Sequence, residues 1–283
     1  MFSIDIFDRK RKNQHYERRT SKLDRKDNEF SSKQFHHIRN DSNGKKILES
    51  LSKIGTCLNK SYSSDINVDK LNRVCFVLIN SFQIDDKNQE PGPLNDGYLI
   101  CLKHHRLGFK VFYLYNPESL QYLKFLEFFM MFTKIELTVF YSGPDLSSFG
   151  IEGIEFSNGS LTKDSIGRII AQNCSGKARK LFITDCRGGG SVFDIDSCNH
   201  QKDAKPLNMI SFYVNKKESP ESKESLRSHG IFTYYFCKII GEDPEITPDK
   251  LVDRMNPALS RFNEVFRCEI SNNELADSQI LLC

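Results

Sequence analysis

Apolar residues along this chain switch between two spacings. Near the start of the patterned region, Ile47, Leu48, Leu51, Ile54 and Leu58 recur every three or four residues, which puts them on one face of a short amphipathic helix. From Asn72 the pattern changes to short continuous apolar runs. VCFVLI at 74–79 is rich in β-branched residues and reads as a strand covered on both faces. A helix follows through Asp96 to His105, Gly108 turns the chain into a second buried strand, FKVFYLY at 109–115, and a helix loaded with Leu and Phe spans 117–132. IELTVFYS at 135–142 makes a third strand. A hairpin-like stretch with Gly150, Gly153 and Gly159 precedes a helix over 162–173, and KLFITD at 180–185 makes a fourth strand that ends at a glycine run, 188–190. A strand at 208–214, a helix at 230–241 and a final helix from Pro248 to about Phe262 complete the pattern. Strands alternating with helices at this spacing predict an α/β fold, with a mostly parallel sheet and helices on both faces. Ligands in such sheets sit beyond the carboxyl ends of the strands, so informative residues are expected just after 142 and 185.

The first 44 residues do not share this pattern. They are polar, carry charge clusters (Arg9, Lys10, Arg11, Lys12, Arg18, Arg19, Lys22, Arg25, Lys26) and end in a turn signal from Asn40 to Gly44. The expected organisation is a basic extended arm at 1–44, an amphipathic helix and linker at 45–70, and one globular domain at 71–283.

Charge sharpens this division. The overall balance is +3, but residues 1–46 hold 13 Lys or Arg against 7 Asp or Glu, so the rest of the chain is net negative. A basic arm on a mildly acidic body fits an acidic partner, or else a solvated tail. The arm has no recognised nucleic-acid-binding fold and acidic residues interrupt its basic stretch, which disfavours nucleic acid. Nine cysteines, an odd number without repeated spacing, argue against a disulfide framework. The opening MFSIDIFDRKRK lacks the apolar stretch of a secretory signal and no later run is long enough for a membrane span, so the expectation is a reduced, cytoplasmic protein.

Four stretches, in order over about residues 70–270, resemble the caspase and metacaspase peptidases. PLNDGYLICLKHHRLGFKV at 93–111 resembles the helix after the family's first strand. FYSGPD at 140–145 resembles the Tyr-Ser-Gly-His-Gly segment that presents the catalytic histidine, and KLFITDCRGGGSVFD at 180–194 resembles the strand and loop that present the nucleophilic cysteine. HGIFTYYF at 229–236 resembles the family's His-Gly-x-Phe-Thr helix start. The resemblance implies the caspase-like α/β sandwich, with Cys and His on loops after adjacent strands.

It also implies that the chemistry is spoiled. A cysteine peptidase needs a thiolate and a neighbouring imidazole to take and return its proton. Pro144 stands at the imidazole position, directly after Tyr141, Ser142 and Gly143. It has no titratable group and no backbone N–H. The nucleophile position has two alignments. Against the metacaspase pattern, Asp185, Gly190, Ser191, Val192, Phe193 and Asp194 match and the nucleophile falls on Arg187, which stays protonated and cannot attack a carbonyl. Against the caspase pattern, Cys186, Arg187 and Gly188 match and Cys186 is the nucleophile. Asp96 and Asp185 match metacaspase aspartates that help bind a basic P1 side chain, and Arg187 is then expected to fold back between them. The plainer alternative makes both aspartates exposed helix or loop caps.

Other motifs carry less. The glycine run lacks the Gly-Lys-Ser or Gly-Lys-Thr of a phosphate loop. Cys186, Cys198 and His200 lack a fourth zinc ligand, so no metal and no cofactor is expected. Phe125, Phe128, Phe129 and Phe132 have helical spacing and read as core. The leading expectation is a noncatalytic pseudopeptidase, a scaffold or adaptor whose arm docks on an acidic protein surface. A microtubule-like filament, and with it a cytoskeletal location, or another caspase-like subunit would fit. The alternative is a divergent cysteine endopeptidase with Arg/Lys specificity that uses Cys186.

Overall fold

A computed structural model describes residues 44–81, 92–144, 146, 152–173, 178–186, 192–193, 195, 208–216 and 230–281. Its centre is a seven-stranded sheet in the order β1-β3-β2-β4-β7-β8-β9. The strands are β1 (Thr56–Cys57), β2 (Arg73–Ile79), β3 (Lys110–Tyr115), β4 (Glu136–Gly143), β7 (Arg179–Cys186), β8 (Met209–Lys216) and β9 (Glu264–Ile270). Neighbours from β1 to β8 run parallel, and β9 pairs antiparallel with β8. A separate two-stranded antiparallel sheet joins β5 (Gly153–Phe156) to β6 (Gly159–Thr162), where the hairpin was expected.

The apolar runs became the central strands because both of their faces are covered. Every residue of β4 is buried. Alternation along each strand sends Val74, Phe76 and Leu78 of β2, Leu137, Val139 and Tyr141 of β4, and Phe182 of β7 to one face. There they join one core with α3 (Ser119–Phe132) and α4 (Lys163–Asn173), centred on Tyr122, Phe129 and Ile170. The opposite face is covered by α2 (Gly92–Arg106) and α5 (Ile231–Glu242), where Phe212 packs on Phe236 and Phe266. Of the phenylalanines read as core, Phe125 and Phe129 are buried, Phe128 is half-buried, and Phe132 stays exposed at the end of α3.

Three boundaries differ from expectation. The first helix, α1 (Gly44–Ile54), stops before Leu58, because Gly55 presses against Val111 and the chain turns into β1. Leu58 is buried all the same, with its N–H donating to the carbonyl of Tyr113. Helix α2 begins at Gly92, one turn before Asp96, with Pro93 in its first turn, where a missing N–H costs nothing. The last helix, α6 (Pro248–Leu259), ends in a 3-10 turn at Ser260–Phe262, and Asn263 in the left-handed region starts β9. EVFRCEI was not recognisable as a strand because it lies at an edge and mixes buried with exposed positions. No described helix is long and apolar enough to cross a membrane.

Candidate functional site

The carboxyl ends of β4 and β7 lie side by side, with Ser142 opposite Asp185 and Gly143 opposite Cys186. Because side chains alternate across a strand, Asp185 and Cys186 serve different faces. Cys186 packs against the core that holds Phe182, which stacks on Phe193 at 4.9 Å. Asp185 faces α5, where the Thr233 hydroxyl donates to its Oδ2 at 2.5 Å.

Asp96 reaches the same place from α2. Gly97 makes this possible, because a Cβ there would lie 2.4 Å from Ile79 and hold the helix off the sheet. Asp96 is fully buried, and its Oδ2 accepts a hydrogen bond from the Ser142 hydroxyl at 3.1 Å. Its Oδ1 has no hydrogen-bond partner. Gly230, in the left-handed conformation that opens α5, passes so close that a Cβ on it would sit 3.1 Å from that oxygen. The two aspartates are therefore a buried pair, not exposed caps; Asp185 is 7% exposed.

Two buried carboxyls at short range cannot both ionise cheaply. Burial first, then the Asp185 charge, push the Asp96 carboxyl well above the ordinary range, and the Ser142 hydrogen bond offsets only part of this. Nearby on α5, burial raises the Cys237 thiol to about 12, with Lys103 opposing and both aspartates adding to the rise. The arrangement is a buried acidic pair at the carboxyl ends of the strands. Among the described residues, no cluster of three or more His, Cys, Asp or Glu is arranged to hold a metal ion.

At the end of β4 the Tyr141 hydroxyl donates to the carbonyl of Pro144, so the proline backbone is tied to its own strand. Asn80, at the end of β2, takes part in the same corner: its N–H donates to the Ser142 carbonyl at 2.9 Å and its side-chain amide to the Glu155 carbonyl at 2.7 Å. Neither described histidine serves Cys186. His104 is buried, with Nδ1 2.9 Å from the Ile100 carbonyl and Nε2 3.2 Å from the Thr138 hydroxyl, and burial lowers it to about 4. Thr138 stands four residues, roughly 13 Å, down β4 from Ser142. His105 is exposed and lines a cleft with Lys53 and Lys110 instead.

The structure thus brings Asp96 and Asp185 together and sets Pro144 after the strand end beside Cys186. Arg187, Cys198, His200, His229 and the arm residues Arg9–Lys12, Arg18, Arg19, Lys22, Arg25 and Lys26 lie outside the described residues, as does the expected return of Arg187 to the aspartates. Sequence reasoning missed Ser142, Thr233 and Gly230 as partners of the acidic pair. All three stood inside the motifs already singled out, but as flanking letters.

The mostly parallel sheet covered by helices on both faces makes this an α/β protein, and its fold is similar to that of the caspases. Solved structures similar to it include the Drosophila initiator caspase Dronc, with a TM-score of 0.51 and 14% identity over 74% of this chain and 82% of that one. Caspase-1 from Spodoptera frugiperda is also similar, with a TM-score of 0.50 and 12% identity over 72% of this chain and 91% of that one. At such identities the likeness is one of fold. No protein-family model and no curated protein matches the chain.

Proposed function

We propose that this chain is a noncatalytic caspase-fold protein that acts as a scaffold or adaptor. Its basic segment at 1–44 docks on a protein with an acidic surface, a microtubule-like filament or another caspase-like subunit, in the cytoplasm or on the cytoskeleton. The observation that carries the reading is Pro144. It follows Gly143, the strand neighbour of Cys186, at the position where the resemblance calls for the imidazole, and proline can neither take a proton nor donate one. Loss of one member of a peptidase's catalytic unit costs about 10⁶ in rate. Asp96 and Asp185 are then the remnant of a pocket for a basic side chain, kept as a buried pair without a competent nucleophile and base beside it.

One observation favours the competing reading, a cysteine endopeptidase of Arg/Lys specificity: Cys186 ends a central strand and is only partly buried. A pull-down from cell extract separates the two. The full chain is compared with one lacking residues 1–44, and both eluates are treated with a basic-P1 thiol-reactive probe and a basic-P1 peptide substrate. Partners lost with the arm, with no labelling or cleavage, support the scaffold. Cleavage abolished by Cys186→Ala would overturn it.

A further inference from the structure

At the far edge of the sheet from β9, strand β1 is only two residues long and pairs only with Phe112 and Tyr113 of β3. Strand β2, on the other side, pairs with β3 all the way from Lys110. Among the described residues, the start of β3 therefore has a strand neighbour on one side only. A cleft of about 560 Å³ opens there, between the end of α1, the loop after β1 and the end of α2. This volume is within the ordinary range for ligand and peptide pockets. Its apolar lining is the buried Phe109 and Val111, which form its floor, and the partly buried Ile54 and Ile66.

The rim is basic. Lys53, His105 and Lys110 line it and are exposed, and none of the three has an ion-pair partner among the described residues. Asp65 is the acidic residue of the lining, and its Oδ2 already accepts the N–H of Tyr62 at 2.8 Å within its own turn. Local excess of positive charge is unexpected here, because the chain after residue 46 is net negative. Basic side chains without ion-pair partners around an apolar floor, beside a strand start with no second strand neighbour among the described residues, match an extended chain with an apolar anchor between acidic residues.

We propose that this cleft is a docking site for an extended acidic peptide segment of a partner protein, whose apolar anchor rests on Phe109 and Val111 while its carboxylates meet Lys53, His105 and Lys110. The site lies away from the Asp96–Asp185 pair and does not rest on the catalytic status of the chain.

The test is fluorescence anisotropy on the full chain with a fluorescein-labelled Glu-Glu-Phe-Ile-Glu-Glu peptide, its Lys-Lys-Phe-Ile-Lys-Lys counterpart and a version with Ser in place of the two apolar residues. The acidic peptide should bind, the basic one should not, and the serine version should bind at least about tenfold more weakly. The double variant Lys53→Glu/Lys110→Glu changes two exposed side chains, leaves the thermal melt in place and should weaken binding by tenfold or more. Neutralising the arm with Arg9→Ser, Lys10→Ser, Arg11→Ser and Lys12→Ser should leave at least half of the affinity. The proposal is overturned if the chain does not bind the acidic peptide, if the double variant binds it as tightly, or if binding disappears with the arm substitutions alone.

Discussion

Both ends of β4 carry buried charge, and the two ends treat it in opposite ways. At the amino end the strand register lines up Arg73, Glu136 and Arg179 across β2, β4 and β7. Glu136 is fully buried, but Arg73 donates to its Oε2 from Nε at 3.3 Å and from a terminal guanidinium nitrogen at 3.1 Å. The same arginine also donates to the Leu107 carbonyl at 2.9 Å and stacks its guanidinium 4.1 Å over the Phe109 ring. Here an acid lies between bases. At the carboxyl end, Ser142 and Asp185 sit side by side and Asp96 closes on them from α2, so two carboxyls are buried together, and among the described residues Asp96 Oδ1 has no hydrogen-bond partner. The first arrangement stabilises the fold. The second sets two carboxyls together and pushes the Asp96 carboxyl up, the kind of perturbation that gathers at functional sites.

The largest expected effect tests the amino end. Glu136→Ala removes the buried carboxylate between the partly buried Arg73 and the buried Arg179 and should cost about 3–5 kcal/mol in urea unfolding, the cost of breaking a buried pair from one side. A loss below about 1 kcal/mol would show that the row contributes nothing and would dissolve the comparison.

Next comes His104, which sits on α2 about 12 Å from Asp96. Its pKa falls on folding to about 4 from an unfolded value of 6.5. The unfolded chain therefore binds the extra proton between those values, and stability is lost as pH falls from 6.5 through 4. The loss should approach about 3 kcal/mol. His104→Gln should flatten that limb of the stability-against-pH curve; an unchanged slope would mean that the imidazole is charged in the fold.

Asp96 should behave with the opposite sign. Its folded pKa is raised, so its contribution is complete below the unfolded carboxylate value of about 4 and is lost as pH rises above it. Asp96→Asn keeps the shape and removes the ionisation, so its stability relative to the parent should increase as pH rises above about 4, by contrast with the loss at Glu136. A parent curve that rises over that range, with Asp96→Asn falling below it, would mean that Asp96 is ionised and paired.

The smallest effect is the control. Arg254 and Glu242 form an ion pair at 2.5 Å with side chains 39% and 35% exposed, and Glu242→Gln should cost less than about 1 kcal/mol in the same unfolding assay. A loss comparable to that of Glu136→Ala would mean that burial is not what separates strong pairs from weak ones in this protein.

Much of this was legible in the sequence. The runs at 74–79, 109–115, 135–142, 180–185 and 208–214 became strands within two residues of their expected ends, because a strand buried on both faces must be apolar throughout and leaves no ambiguity of face. Proline at position 144 was equally plain, since it follows Tyr-Ser-Gly without a gap. Less legible were the elements whose side chains see two environments. β1 is two exposed residues hidden in a helical pattern, and β9 reads as neither strand nor helix until its pairing with β8 is known.

Only the tertiary structure decided the partners of the acidic pair. Asp96, Ser142, Asp185, Gly230 and Thr233 are scattered over nearly half of the chain, and their meeting depends on two non-local facts. One is the parallel register that puts Ser142 beside Asp185; the other is the close seating of α2 and α5 on the same face. A period of two says which face a strand residue serves, and a period of 3.6 says which side of a helix is buried. Neither period contains the register between elements, because register is set by the packing of the whole sheet. The same holds for Arg73, Glu136 and Arg179, three unremarked charges at strand starts in the sequence and one row in the fold.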